Sequence, residues 1–133
     1  MAKADEYGVD APYWDAAQTG SLVLQHCDDC SYVRWPAAGV CPECLSRDST
    51  WSPVAGTGTL WSVVTYHRAY ARSGLSPVPY NVALVELDCG ARLITRLVGD
   101  EASAAEPGVR VDVRFEEVAD YGVVPVFVPA GAD

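Results

Sequence analysis

The chain has 133 residues, of which 9 are basic and 18 acidic, so its formal net charge at pH 7 is -9. This balance disfavours binding to the phosphate backbone of nucleic acids, which depends on clustered Lys and Arg side chains. The chain contains no run of about 18 apolar residues that would predict a membrane span, and its polar start, MAKADEYGVD, lacks the pattern of a secretory signal, so we expect a cytoplasmic, non-membrane protein of about one domain.

Residues 1–20 are predicted to form an N-terminal helical segment. The stretch VDAPYWDAAQTG offers Asp10 as a helix N-cap, a proline in the first turn, and Gly20 as a stop signal. Tyr13 and Trp14 would lie on one flank of this helix. The two aromatic rings either cover the core of the chain itself or dock on a partner protein.

Residues 21–50 are predicted to form a zinc ribbon, because they contain two CxxC pairs separated by ten residues. A CxxC turn can aim two thiolates at one point, and two facing turns form a tetrahedral cage of four sulfurs that suits zinc. Four cysteine ligands leave no open position for water or substrate, so the Zn²⁺ would be structural rather than catalytic. The predicted ligands are Cys27, Cys30, Cys41 and Cys44.

The residues alone leave other uses of these cysteines open. Disulfides are disfavoured in a cytoplasmic chain, and a redox CxxC normally occurs once beside a βαβ unit, whereas iron can occupy an all-thiolate site of the same kind. His26 adjoins Cys27, but four cysteines already complete the ligand set. The fifth cysteine, Cys89, precedes a glycine in LDCGAR and is interpreted as a turn residue.

Residues 51–133 are predicted to form a five-stranded β domain with little helix. GTGTLWSVVTYHRAY is typical of one long strand, and YNVALVELDCGARLITRLVG of two strands joined by a hairpin at 88–91. GVRVDVRFEEV alternates apolar and charged residues, and VVPVFVP completes the set. The leading five-stranded candidate is the OB-fold, a partly closed barrel. The chain as a whole is therefore expected to be mainly β.

The order of aromatic helix, four-cysteine ribbon and five-stranded barrel resembles the DUF35 family. The matching segments include YWDAAQTGSLVLQHCDDC, CPECLS, GTGTLWSVVTYHRAY and PVPYNVALVELDCGARLITRLVG. The resemblance extends from about residue 11 to residue 130. Members of this family are OB-fold, acyl-CoA-associated proteins with a rubredoxin-like zinc ribbon, so the resemblance implies the same architecture here.

The resemblance also implies a non-catalytic accessory subunit rather than an independent enzyme. Family members bind thiolase-superfamily enzymes, including thiolases and lipid-transfer-protein-like aldolases, and several act in the breakdown of steroid side chains. We therefore expect a hetero-oligomer with a thiolase-like or aldolase subunit that acts on acyl-CoA in steroid side-chain or lipid catabolism. The chain would support the folding and activity of that subunit and the positioning of CoA. A MaoC-like acyl-CoA hydratase is the alternative partner.

Candidates for contact with CoA or the partner are Arg68, Tyr70, Arg72 and Trp35. CoA carries phosphates, so its binder should offer arginines, and Arg68 and Arg72 flank a loop at 69–79 that follows the first long strand. Loops of this kind on a rigid barrel are common binding sites. Aromatic side chains are enriched at interface hot spots. The arginines of the later strands would either bind phosphate or pair with the many carboxylates.

Two other classes of function are weaker. An OB-fold can bind single-stranded nucleic acid by aromatic stacking in a basic groove, but the charge of the chain has the wrong sign. A free-standing acyl-CoA hydrolase or lyase would need a base such as Glu86, Asp88, Glu116 or Glu117. Carboxylates on exposed strand faces are more often contacts with solvent, so we expect neither activity.

Overall fold

A computed structural model describes residues 8–68, 79–118 and 122–130. These residues form one α-helix, two short 3₁₀ turns and eight strands. The helix and strands are α1 Ala11–Ala17, β1 Val23–Cys27, β2 Val33–Arg34, β3 Ser49–Pro53, β4 Thr57–Tyr66, β5 Tyr80–Leu87, β6 Arg92–Thr95, β7 Arg110–Val118 and β8 Gly122–Pro129. The prediction of a mainly β chain with one N-terminal helix is confirmed.

Helix α1 begins as the sequence predicts, with a proline in its first turn, but it is not capped as expected. Asp10 occupies the N-cap position without a side-chain hydrogen bond to the helix backbone. Its carboxylate instead accepts a hydrogen bond from the indole nitrogen of Trp14 at 3.4 Å, so this carboxylate bonds to a side chain and not to the helix backbone. Tyr13 and Ala17 are buried, and burial raises the pKa of the Tyr13 hydroxyl. The helix therefore covers the core of its own chain.

The first sheet has three antiparallel strands in the order β2-β1-β3. Strand β1 lies in the centre, where Gln25 pairs with Arg34 on one side and with Trp51 on the other. Because β1 ends at Cys27, the sheet carries the first cysteine pair at its tip. The chain then returns through β2 towards the second pair.

The second sheet has five antiparallel strands in the order β6-β5-β4-β7-β8. It curls until its two ends meet, where Leu97 forms a parallel bridge with Phe127. The Phe127 N–H donates to the Arg96 carbonyl at 3.0 Å, and the Val98 N–H donates to the Phe127 carbonyl at 2.9 Å. The sheet is thus a half-barrel, and the prediction of a five-stranded, partly closed barrel is confirmed.

The turn between β5 and β6 confirms the predicted hairpin, and its side chains bond to strands β4 and β7. Gly90 has φ +98°, a conformation that glycine adopts without the steric cost of a Cβ atom. The Asp88 carboxylate accepts hydrogen bonds from Thr57 at 2.7 Å and from the Arg110 guanidinium at 2.7 and 2.8 Å. The guanidinium of Arg110, with Thr57, lowers the pKa of Asp88 to about 2. Cys89 is exposed in this turn.

One hydrophobic core serves both sheets. Leu22 and Leu24 from the ribbon, and Tyr13 from the helix, belong to the same cluster of buried side chains as Leu60 and Phe127 of the barrel. Strand β7 contributes to it as its alternation predicts, because the buried Val111 lies between exposed or half-buried charged neighbours. The ribbon and the barrel are therefore packed as one unit. No helix among the described residues is long and apolar enough to cross a membrane.

Truncation of a ribbon leucine should destabilise the whole chain. Leu24 is fully buried, whereas Leu45 is 75% exposed. We expect Leu24→Ala to lower the free energy of unfolding by about 2–5 kcal/mol, and the matched variant Leu45→Ala to lower it by less than about 0.5 kcal/mol. Urea unfolding of the zinc-loaded proteins, followed by tryptophan fluorescence, measures both. Similar losses for the two variants would contradict the shared core.

Candidate metal centre

Two turns at the tip of the ribbon bring the four predicted cysteines together. The Sγ atoms of Cys27, Cys30, Cys41 and Cys44 all lie within 4.8 Å of one another. Cys27 and Cys44 are separated by 3.5 Å, and Cys30 and Cys41 by 3.6 Å. These separations are far too long for a disulfide, whose sulfur–sulfur distance is about 2.05 Å. Around zinc, bonds of about 2.3 Å place tetrahedral sulfurs about 3.8 Å apart, so the cluster fits a zinc ion.

The two turns have the same backbone construction. In the first, the Ser31 N–H donates to the Cys27 carbonyl at 3.0 Å, and in the second the Leu45 N–H donates to the Cys41 carbonyl at 2.9 Å. The residue after each second cysteine adopts φ +66°, which reverses the chain. Both turns therefore aim their thiols at one point by the same local geometry, although they share little sequence besides the cysteines.

The protonation of the thiols shows why the cluster needs a cation. The backbone N–H of Cys30 is the main cause that lowers the pKa of Cys27 to about 7. The pKa of Cys44 is lowered by the backbone N–H of Ser46 but raised more by the neighbouring thiol of Cys27, by burial and by the other thiols, to about 12. One thiolate therefore forms readily and disfavours the next. Four thiolates at this spacing require a positive ion between them.

Two buried polar side chains, which the sequence analysis missed, position the loop between the cysteine pairs. The Gln25 amide donates to the Ala38 carbonyl at 2.9 Å and accepts from the Ala38 N–H at 3.0 Å. The Arg34 guanidinium donates to the same carbonyl at 2.9 Å. The only sequence signal was position: Gln25 lies two residues before Cys27, and Arg34 lies inside the predicted ribbon. His26 stays outside the ligand set, since its Nδ1 lies 2.9 Å from the Leu24 carbonyl.

The four candidates for contact with CoA or the partner are not brought together by the described residues. Trp35 is half-buried and stacks on Tyr13 with ring centroids 4.0 Å apart, so it packs against the core. Arg68 is exposed two residues beyond the end of β4. Tyr70 and Arg72 lie outside the described residues. The binding role of these four residues stays a prediction.

Three of the four arginines on or beside the later strands pair with carboxylates. Arg92 contacts Glu86 at 3.1 Å, and Arg96 forms an ion pair with Glu116. Arg110 donates two hydrogen bonds to Asp88, one from each terminal guanidinium nitrogen. The sequence left two roles open for these arginines, phosphate binding or pairing with carboxylates. These three side chains pair with carboxylates.

Comparison with known proteins shows the family. Residues 14–50 match the ChsH2 rubredoxin-like zinc ribbon domain, and residues 51–116 match the ChsH2 C-terminal OB-fold domain. A DUF35 domain-containing scaffold protein of Methanothermobacter thermautotrophicus is 30% identical over 78% of this chain and 75% of that protein. The chain belongs to the DUF35 family. Its OB-fold and zinc ribbon, predicted from the sequence, are confirmed.

Two further similar proteins carry the names of enzymes, one a hydratase and the other an aldolase. A probable enoyl-CoA hydratase alpha subunit of Thermomonospora curvata is 38% identical over 91% of this chain, which spans only 38% of that protein. A chain in the solved structure of the Ltp2-ChsH2(DUF35) aldolase is 36% identical, with a TM-score of 0.83 over 92% of this chain and 95% of that one.

The prediction of a structural Zn²⁺ cofactor is confirmed by the ribbon family and the four-thiol cluster. Such an ion would be held by thiolates alone, with every coordination position filled. The ion would stabilise a small, loop-rich region and would leave no coordination position for a substrate. That these four side chains ligate the ion remains a prediction for metal analysis.

Loss of one predicted ligand should abolish tight zinc binding. We expect wild-type protein to carry about one zinc ion per chain and Cys41→Ser to carry much less, because the remaining thiolates leave the cage open. Cys89→Ser is the matched control, since Cys89 is exposed and does not belong to the four-thiol cluster, so its loss should leave zinc content unchanged. Elemental analysis after dialysis measures both, and equal zinc in the two variants would refute the ligand set.

Proposed function

We propose that this chain is a non-catalytic accessory subunit of a thiolase-superfamily enzyme, most simply an aldolase, that acts on acyl-CoA. The single observation that carries the proposal is the likeness, over nearly the whole chain, to the DUF35 chain of an aldolase structure. Two relatives are named DUF35 domain-containing scaffold protein. This name favours a structural role for the present chain over catalysis. The saturated thiolate site is consistent with that role, because it cannot activate a substrate.

In this proposal the partner supplies the reaction and this chain supplies a rigid, metal-braced surface. The barrel would stabilise the partner fold and help to position the CoA thioester, with Arg68, Tyr70, Arg72 and Trp35 as the proposed contacts. Steroid side-chain or lipid catabolism is the proposed pathway. The cytoplasm is the proposed location, since thiols stay reduced there.

A second candidate partner is a MaoC-like acyl-CoA hydratase. The observation that favours it is the identity of 38% to part of a probable enoyl-CoA hydratase alpha subunit. In that relative, the region similar to this chain accounts for 38% of the protein. The two proposals differ only in the enzyme that this chain supports.

Co-expression decides between the two partners. We expect the tagged chain to co-purify, in a fixed ratio, with an aldolase encoded beside it, and the aldolase to be less soluble or less active when expressed alone. A hydratase encoded beside it serves as the parallel bait. Retention of only the hydratase would select the alternative. If neither enzyme is retained and both are soluble and fully active alone, the accessory role is wrong.

The isolated chain should not turn over acyl-CoA. We expect no hydrolysis, hydration or carbon–carbon cleavage of acyl-CoA substrates above the rate of a no-protein control, because the proposed chemistry belongs to the partner. Chromatography of the CoA products checks this expectation. Turnover that is removed by Glu86→Gln or Glu116→Gln would instead identify an enzyme and overturn the proposal.

A further inference from the structure

The outer surface of the barrel is apolar across β4, β5 and β6. Trp61 is 50% exposed, Val64 53% and Ile94 78%. Val82 and Leu84 are half-buried beside them, on the side of β5 opposite the buried Ala83 and Val85. We refer to the surface formed by Trp61, Val64, Val82, Leu84 and Ile94 as the apolar face.

The strand register makes this surface continuous. Ser62 pairs with Leu84, and Leu84 pairs with Ile94 across the next strand. Val64 pairs with Val82 one step along the same two strands. Neighbouring strands lie about 4.8 Å apart, so these side chains form one patch rather than scattered exposed residues.

Trp61 lies at an irregularity in β4. The register shifts between Leu60 and Ser62, and Trp61 and Ser62 are both exposed after the buried Leu60. The Arg92 guanidinium lies over the Trp61 ring, 4.1 Å from its centroid. Arg92 is also held by Glu86 at 3.1 Å. Tryptophan and arginine are the side chains most enriched at interface hot spots, and here both are fixed in place.

The charges of the barrel separate this surface from the rest. The strands β4, β5 and β6 contain only two charged residues, Glu86 and Arg92, and these pair with each other. Strand β7 alone carries five charged residues, two of which, Arg110 and Glu116, lie in ion pairs. The outward side of β7 is therefore charged, whereas the outward sides of β4, β5 and β6 are largely uncharged. The apolar face is neutral in a chain whose net charge is -9.

We propose that the apolar face is the docking surface for a different protein subunit, with an apolar centre and a neutral or basic rim. This inference rests on the proposed function, because the occupant is the supported enzyme. A second copy of the chain is disfavoured because two chains of charge -9 repel each other. A small acyl ligand is disfavoured because ligand sites are concave, whereas the outside of a curled sheet is convex.

A charge placed in the middle of this surface tests the proposal. Ile94→Glu and Val64→Glu each bury a carboxylate against the partner if the surface docks, and each should weaken the complex by at least about tenfold. Leu45→Glu is the control, because it makes the same charge change at a leucine of nearly equal exposure (75%) on the ribbon. Affinity is measured with the co-purifying enzyme, after zinc content and thermal unfolding show that each variant is folded.

The possible outcomes distinguish a failure of the docking surface from a failure of the accessory role. Weakening by Ile94→Glu or Val64→Glu, with Leu45→Glu unchanged, supports the apolar face. If the wild-type chain binds the enzyme and both face variants bind equally well, the docking surface is wrong while the accessory role stands. Equal weakening of the complex by Leu45→Glu also contradicts the docking surface. A third contradicting result is light scattering that shows a dimer of the lone chain, with Ile94→Glu disrupting that dimer. A wild-type chain that binds no enzyme contradicts both proposals.

Discussion

The structure depends on the convergence of four thiols at the tip of the ribbon. The three ribbon strands have two to five residues each, too few to bury a core of their own, and small units of this kind usually rely on metal or disulfides. Zinc bound by four thiolates contributes about 10–16 kcal/mol of apparent binding free energy in small peptides, most of it coupled to folding. The metal thus replaces the apolar area that the ribbon lacks, and Leu24 extends the order into the barrel.

The barrel uses its strands differently on different sides. Its inside is filled by a core shared with the ribbon. Its outside is charged and ion-paired along β7, but neutral and apolar along β4, β5 and β6. This asymmetry fits the proposed accessory role. The charged side favours contact with water, whereas burial of the apolar side by another surface would stabilise a complex. The strong negative charge then favours a different partner over a second copy.

The sequence predicted the features that depend on local pattern. The CxxC spacing predicted the convergence of four thiols, Gly90 predicted the hairpin, and the alternation of β7 predicted its buried face. It missed features that depend on register or distant contacts. The irregularity at Trp61 leaves two consecutive residues, Trp61 and Ser62, exposed, so the two-residue period of GTGTLWSVV did not decide the side on which that ring lies. The bonds of Asp10 to Trp14 and of Gln25 to Ala38 arise from folded geometry, which propensities do not contain.

The central claim is that the metal centre stabilises the barrel through the shared core. Hydrogen–deuterium exchange, followed by mass spectrometry with and without a zinc chelator, tests it most directly. The account predicts that zinc removal increases exchange in barrel strands β5 and β8 as well as in the ribbon. If the chelated protein loses its zinc and only the ribbon exchanges faster, while the barrel amides stay fully protected, the two units are independent and the account is contradicted.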